Sequence, residues 1–130
     1  MLLHARARHR LARLLADPGL RRLGGKAESW VEQSLGKTQG PVIAASDYVS
    51  AVADLIRPYV ARRYVALGTD GFGRSDTRAA LRRFFEVDRQ HIVVAALAAL
   101  AKEGIIAANV VTDALARYGI VEGAAHPWEA

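Results

Sequence analysis

Residues 64–85, YVALGTDGFGRSDTRAALRRFF, constrain the fold more than any other stretch of this chain. An apolar run, a glycine-rich turn and a helical pattern follow one another without a break. Tyr64-Val65-Ala66-Leu67 has the β-branched and aromatic content of a short buried strand. Gly68, Gly71 and Gly73 free the backbone where the chain must turn. Ser75 or Asp76 is placed to accept from the N–H groups that open the next helix. Strand, tight loop and helix form the repeating unit of an α/β domain.

The same unit is legible once upstream. Pro41 to Ala45 reads as a first buried strand, with proline at its start where no ladder donor is needed. Ser46-Asp47 then begins a helix over residues 48–57, with Val49, Val52, Ala53 and Ile56 as its inward face and Pro58 at its end. Residues 29–35 form one or two helical turns closed by Gly36. Beyond the glycine loop, Thr77–Phe85 is helical, with Leu81, Phe84 and Phe85 inward and Arg78, Arg82 and Arg83 outward. Asp88 caps a long buried helix over 89–103, ended by Gly104. A last helix runs from about Ala108 to Tyr118 and stops at Gly119. These elements predict a three-layer α/β sandwich with a small, mostly parallel sheet, which needs at least one further strand that the pattern does not locate.

The chain is long enough, at 130 residues, for one domain with a core. It contains no cysteine, which excludes disulfide and thiolate chemistry within it. No apolar run has the length of a membrane span. The net charge of +5 is unevenly spread. Residues 1–26 hold seven Lys or Arg against the single acid Asp17, and the remainder carries eleven bases and twelve acids. The basic character belongs to an N-terminal arm, while the body is close to neutral. Residues 1–28 therefore read as a basic extension of low order, 29–121 as the domain, and 122–130 as a tail. The arm has three readings: a solvated extension, a binder of nucleic acid or an anionic surface, and a transit-peptide-like leader. The neutral body makes nucleic acid an unfavoured partner.

No constellation in the body carries catalysis by its spacing. The glycine loop lacks a G-x-G-x-x-G fingerprint, because Asp76 stands where the third glycine belongs, and it lacks the Gly-Lys-Ser/Thr of a P-loop. Asp70 and Asp76 also oppose a phosphate. The loop is expected to be a structural turn packed under Phe72, with an anion cradle or a contact to a neighbouring domain as the alternatives. His4, His9, His91 and His126 form no metal-ligand spacing. Ser46 and Ser75 fall at helix starts, and no G-x-S-x-G elbow is present. Glu86 and Asp88 could be imagined as an acid–base pair, but capping accounts for Asp88. No catalytic, cofactor-binding or metal-binding residue is assigned.

Three runs nevertheless identify a family: SDYVSAVADLIRPYV, RRYVALGTDGFGRSDTRAALRRFFEVD and HIVVAALAALAKEGIIAANVVTDALARYGI. Over residues 29–121 the chain resembles the C-terminal domain of the homodimeric bacterial pyruvate dehydrogenase E1 component, and LGTDGFGRSD followed by FFEVD is its most specific part. The shorter pattern L-G-x-D-x-F-G-x-S is similar to that of transketolase C-terminal domains. Residues 1–27 depart from the family, as a displaced start or an off-frame reading would make them.

The resemblance implies the transketolase C-terminal architecture. In the complete enzyme it implies thiamine diphosphate and magnesium, decarboxylation of pyruvate, acetyl transfer to a lipoyl group on E2, and a cytoplasmic location. It also implies that this domain helps assemble the dimer and holds few or none of the cofactor ligands, so that no cofactor is expected on this chain alone. Implied partners are other E1 subunits and, through the full enzyme, E2. Asp70, Phe72 and Arg74 are then the candidates for an interdomain or subunit contact. The alternative is a freestanding module that pairs with E1 or with itself.

Overall fold

Two four-residue strands organise the body in a computed structural model that describes residues 29–123. β1 is Val42–Ala45 and β2 is Tyr64–Leu67. They pair in parallel with Val42 opposite Tyr64 and Ala45 opposite Leu67. Parallel strands cannot be joined by a hairpin, so the chain between them must cross over, and it does so through a helix.

The described residues fall into two units. One comprises residues 29–39 with 58–61, and the other 40–57 with 62–123. In the first unit a short helix, α1, spans Trp30–Leu35. Ser29 and Glu32 form a capping box: the Ser29 hydroxyl accepts from the Glu32 N–H at 3.2 Å, and the Glu32 carboxylate accepts from the Ser29 N–H at 2.8 Å. Ser29 and Val31 are buried.

In the second unit the crossover helix α2 covers only Ser50–Asp54, and the chain then enters a 3₁₀ turn over Arg57–Tyr59, whose last two residues belong to the first unit. The predicted helix over 48–57 is thus cut short. Pro58 has no N–H to offer the Asp54 carbonyl, and its ring disfavours α geometry at Arg57. The predicted inward face is also corrected, since Val49 and Val52 are about half exposed, while Ala53 and Ile56 turn partly inward. After β2 come α3 (Arg78–Phe84), α4 (Arg89–Lys102) and α5 (Ala108–Tyr118).

The pleat assigns the helices to opposite faces of the sheet. Val42, Ala44, Tyr64 and Ala66 share one face by alternation and register. On that face the Tyr64 hydroxyl donates to the Ala53 carbonyl of α2 at 2.6 Å, and the Arg57 guanidinium lies 5.0 Å from the Tyr64 ring centre. Ala45 belongs to the other face and borders a cavity with Val87 and Ile92, the latter at the start of α4. The result is helix, sheet, helix, as an α/β fold requires. Burial in this unit centres on Tyr64, Val87 and Ala99. Burial, with the Asp54 carboxylate nearby and Arg57 opposing, raises the Tyr64 phenol above its ordinary value.

The further strand expected from the sequence is not found among the described residues. The remaining β-branched pairs are taken by helices: Val93-Val94 by α4 and Val110-Val111 by α5. Helix caps decide these segments. Asp88 accepts from the His91 N–H at 2.9 Å and starts α4. Gly104 and Gly119 take positive φ of 72° and 60° and end α4 and α5. Each of these ends carries the paired bonds of a Schellman motif: Ile105 N–H to the Leu100 carbonyl at 3.0 Å with Gly104 N–H to Ala101 at 2.9 Å, and Ile120 N–H to the Leu115 carbonyl at 3.0 Å with Gly119 N–H to Ala116 at 3.2 Å. α3 ends the same way with Val87 N–H on the Arg82 carbonyl, but its left-handed position is Glu86, at φ 59°. That position would suit glycine, and a glutamate there is held in a costly backbone state. We expect Glu86→Gly to stabilise the chain by about 0.5–1 kcal/mol in denaturant unfolding; a loss of stability would mean that the side chain of Glu86 matters more than its backbone.

Candidate functional site

The carboxyl ends of β1 and β2 lead into two loops that are bonded to each other. Ser46 N–H donates to the Leu67 carbonyl at 3.1 Å, which extends the strand pairing by one rung. Thr69 N–H then donates to the Tyr48 carbonyl at 2.9 Å, and the Thr69 hydroxyl to the Asp47 carbonyl at 3.0 Å. The Asp70 carboxylate accepts from the Ser50 N–H at 2.8 Å, so a side chain from the second loop caps the helix that follows the first. Val49, at the N-cap position itself, has no side chain able to do this.

Gly68 makes the approach possible. A Cβ there would lie 2.3 Å from the Ser50 nitrogen and 2.7 Å from the Tyr48 carbonyl oxygen. Gly71 has a φ of 118°, which only glycine adopts without strain. Gly73 has open space around it and no unusual φ. Two of the three glycines are thus required by the turn.

Sequence reasoning placed the loop correctly as a turn but misplaced three of its side chains. Phe72 does not cover the turn; it is 88% exposed. The helix after the loop is capped by Thr77, whose hydroxyl accepts from the Ala80 N–H at 3.3 Å. Asp76 instead accepts from the Thr77 N–H at 2.7 Å, one residue before the helix, and Ser75 plays no capping part. Of the three contact candidates, Asp70 is engaged with Ser50, Arg74 lies with its guanidinium 4.3 Å from the Phe84 ring centre, and Phe72 projects freely. The loop does not bring the three side chains to one point.

The arginines of α3 were expected to face solvent, yet two of them are tethers. Arg82 donates to both oxygens of Asp47, at 2.8 and 3.1 Å, a bidentate clasp between α3 and the β1 loop. Arg78 approaches the same carboxylate at 3.6 Å. The Arg82 hydrogen bond, with Arg78 assisting, holds the Asp47 carboxyl below its ordinary value despite an opposing desolvation effect. Arg83 donates to the carbonyls of Tyr118 and Gly119 at 3.0 and 2.9 Å and so caps the end of α5. No short motif signals these pairings, because they join residues about 35 positions apart.

Asp88 and His91 make the tightest titratable pair, with Nδ1 2.7 Å from Oδ1 and both side chains largely buried. Burial pushes the Asp88 carboxyl up, but the His91 N–H and ring, with Arg83 at 3.5 Å, outweigh it and leave the value lowered. Glu86 stands outside this pair, so the two acids flanking Val87 form no acid–base couple. His91 lies at the boundary between surface and interior, with 12% of its side chain exposed. Among the described residues no three His, Asp or Glu side chains come together as a metal site, and no helix is long and apolar enough to cross a membrane. His4, His9 and His126, with the basic arm, lie outside the described residues.

Three variants test this arrangement. Gly68→Ala should cost about 1–3 kcal/mol by forcing the two loops apart, whereas Phe72→Ala should stay within about 0.5 kcal/mol, both read from urea midpoints. Asp88→Ala should cost about 1 kcal/mol at neutral pH. Because the folded-state pKa of Asp88 is lowered, its contribution is complete above the ordinary value of 3.8 and is lost as pH falls through the folded value. The gap between wild type and Asp88→Ala should therefore close in acid; a gap independent of pH would assign the loss to packing.

Comparison with known proteins adds the family. The family model described as transketolase-like TK C-terminal domain matches residues 4–88, a range that takes in both strands and α3 and, contrary to the expected departure of residues 1–27 from the family, most of the basic arm. A pyruvate dehydrogenase E1 component from Cupriavidus necator is 59% identical over 93 residues, which are 72% of this chain and 10% of that protein. The E1 component of Pseudomonas aeruginosa is 55% identical over 94 residues, 72% of this chain and 11% of its own. That of Escherichia coli K12 is 53% identical over 81 residues, 62% of this chain and 9% of its own. The chain spans about a tenth of the length of these curated relatives. With the strand–glycine loop–helix unit inside the matched range, the chain belongs to the transketolase-like C-terminal domain family.

Proposed function

We propose that this chain acts as the C-terminal assembly domain of a pyruvate dehydrogenase E1 component. In this reading it pairs with other E1 polypeptide and performs no chemistry alone. The complete enzyme would use thiamine diphosphate and magnesium to decarboxylate pyruvate and pass the acetyl group to lipoyl-bearing E2, in the cytoplasm. No step of that chemistry is assigned to residues of this chain. A freestanding module that pairs with E1 or with itself is the second reading, and both call for the same kind of surface.

The observation that carries the proposal is a group of large apolar residues left exposed among the described residues. Tyr48, Val52 and Leu55 are spaced at three- and four-residue intervals, one before α2, one within it and one at its C-cap, and Tyr48 and Leu55 are 72% and 70% exposed. Phe72 is a further bare aromatic on the adjoining loop. Bare residues of this size, grouped in one short stretch of chain, suit a protein contact better than water. The similarity to E1 components supports E1 as the source of that contact.

Sedimentation of the chain alone and with full-length E1 tests this. Self-association or co-sedimentation is expected, weakened by Leu55→Asp without loss of helical content. A monomer indifferent to E1 would overturn both readings. Thiamine-diphosphate-dependent pyruvate decarboxylation by the purified chain should be absent, and turnover would overturn its inactivity.

A further inference from the structure

We infer that the cavity at the carboxyl end of β1 binds a small organic anion, one with a carboxylate or phosphate group and a short apolar body. The cavity is an open cleft of about 890 Å³, with room for a small molecule. It opens where Ser46 and Asp47 leave the strand and where α4 begins. Ligands of parallel α/β sheets gather at this edge, because loops there diverge and leave a crevice.

Charge decides the class of ligand. Two carboxylates border the cavity, Asp47 and Asp88, and both are already occupied. Asp47 is clasped by Arg82, and Asp88 accepts from His91 and faces Arg83. Arg78 and Arg89 border the same cavity with donors to spare. Arg78 is 79% exposed and reaches Asp47 only at 3.6 Å. Arg89 has no ion pair among the described residues. The unspent charge is therefore positive, carried by two guanidiniums whose planar forks suit carboxylate and phosphate oxygens. Gln90 adds an amide, while Val87 and Ile92 supply the apolar wall.

Arg78 also borders a second cavity of about 320 Å³ on the glycine-loop side, together with Arg74 and Arg82. The Asp47–Arg78–Arg82 cluster forms the wall between the two. An anion that engages Arg78 competes with Asp47 for it, so removing the Asp47 charge should strengthen binding. Binding here does not depend on assembly with E1.

The test is a titration of the full chain with inorganic phosphate and, separately, with succinate, followed by amide NMR shifts of Ser46, Asp47 and Gln90. Saturable shifts with either probe are expected; phosphate alone or succinate alone identifies the anionic group. Affinity should fall by about tenfold in the Arg78→Gln, Arg89→Gln double variant. It should rise by about threefold in Asp47→Asn and stay unchanged in Arg117→Gln on α5. No saturable shift with either probe overturns the inference. So does equal affinity in the double variant, or no gain in Asp47→Asn, since a general ionic effect would produce both.

Discussion

Four hydrogen bonds between the loops that leave β1 and β2 hold the second unit in register. Two four-residue strands give few ladder bonds, and an isolated pair of that length is marginal in water. Ser46 to Leu67, Thr69 to Tyr48, Thr69 to Asp47 and Asp70 to Ser50 continue the pairing beyond the strands and into the start of α2. Gly68 lets the backbones come close enough for this, and a single Cβ would prevent it. The clasp of Arg82 on Asp47 then adds α3 to the same cluster. Sheet, crossover helix and α3 all depend on the stretch from Leu67 to Asp70.

Much of the fold was legible because it is written in local chemistry. Tyr64–Leu67 and Ala108–Tyr118 appear where apolar content and terminal glycines put them. Asp88 caps α4 as its position before the helical run implied. What escaped reading was decided by partners distant in sequence. Ser75 and Asp76 read as the caps and Thr77 as the first helical residue, but the path of the loop makes Thr77 the cap. Val49 and Val52 have the spacing of a core face, but a helix of five residues turns only one side to the sheet. Arg82 and Arg83 look like solvated charges until Asp47 and the end of α5 are brought to them.

The candidate contact residues show the same division. Asp70 has a structural duty to Ser50, while Phe72 has none and stands bare in solvent. Within one loop of ten residues, glycines and Asp70 hold the scaffold, and Phe72 is left for whatever meets it. A loop built this way keeps its shape when its exposed member is exchanged.

Arg83 has a consequence for how the chain reaches this state. α4 and α5 are neighbours joined by a short connection, so their contacts close small loops and form early in a folding chain. Parallel strands divided by a crossover close later. By donating to Tyr118 and Gly119 from α3, Arg83 ties the late-closing half to the far end of the helical pair. One guanidinium on α3 thus satisfies carbonyls left open at the end of α5, so release of that last turn also strips Arg83 of two acceptors.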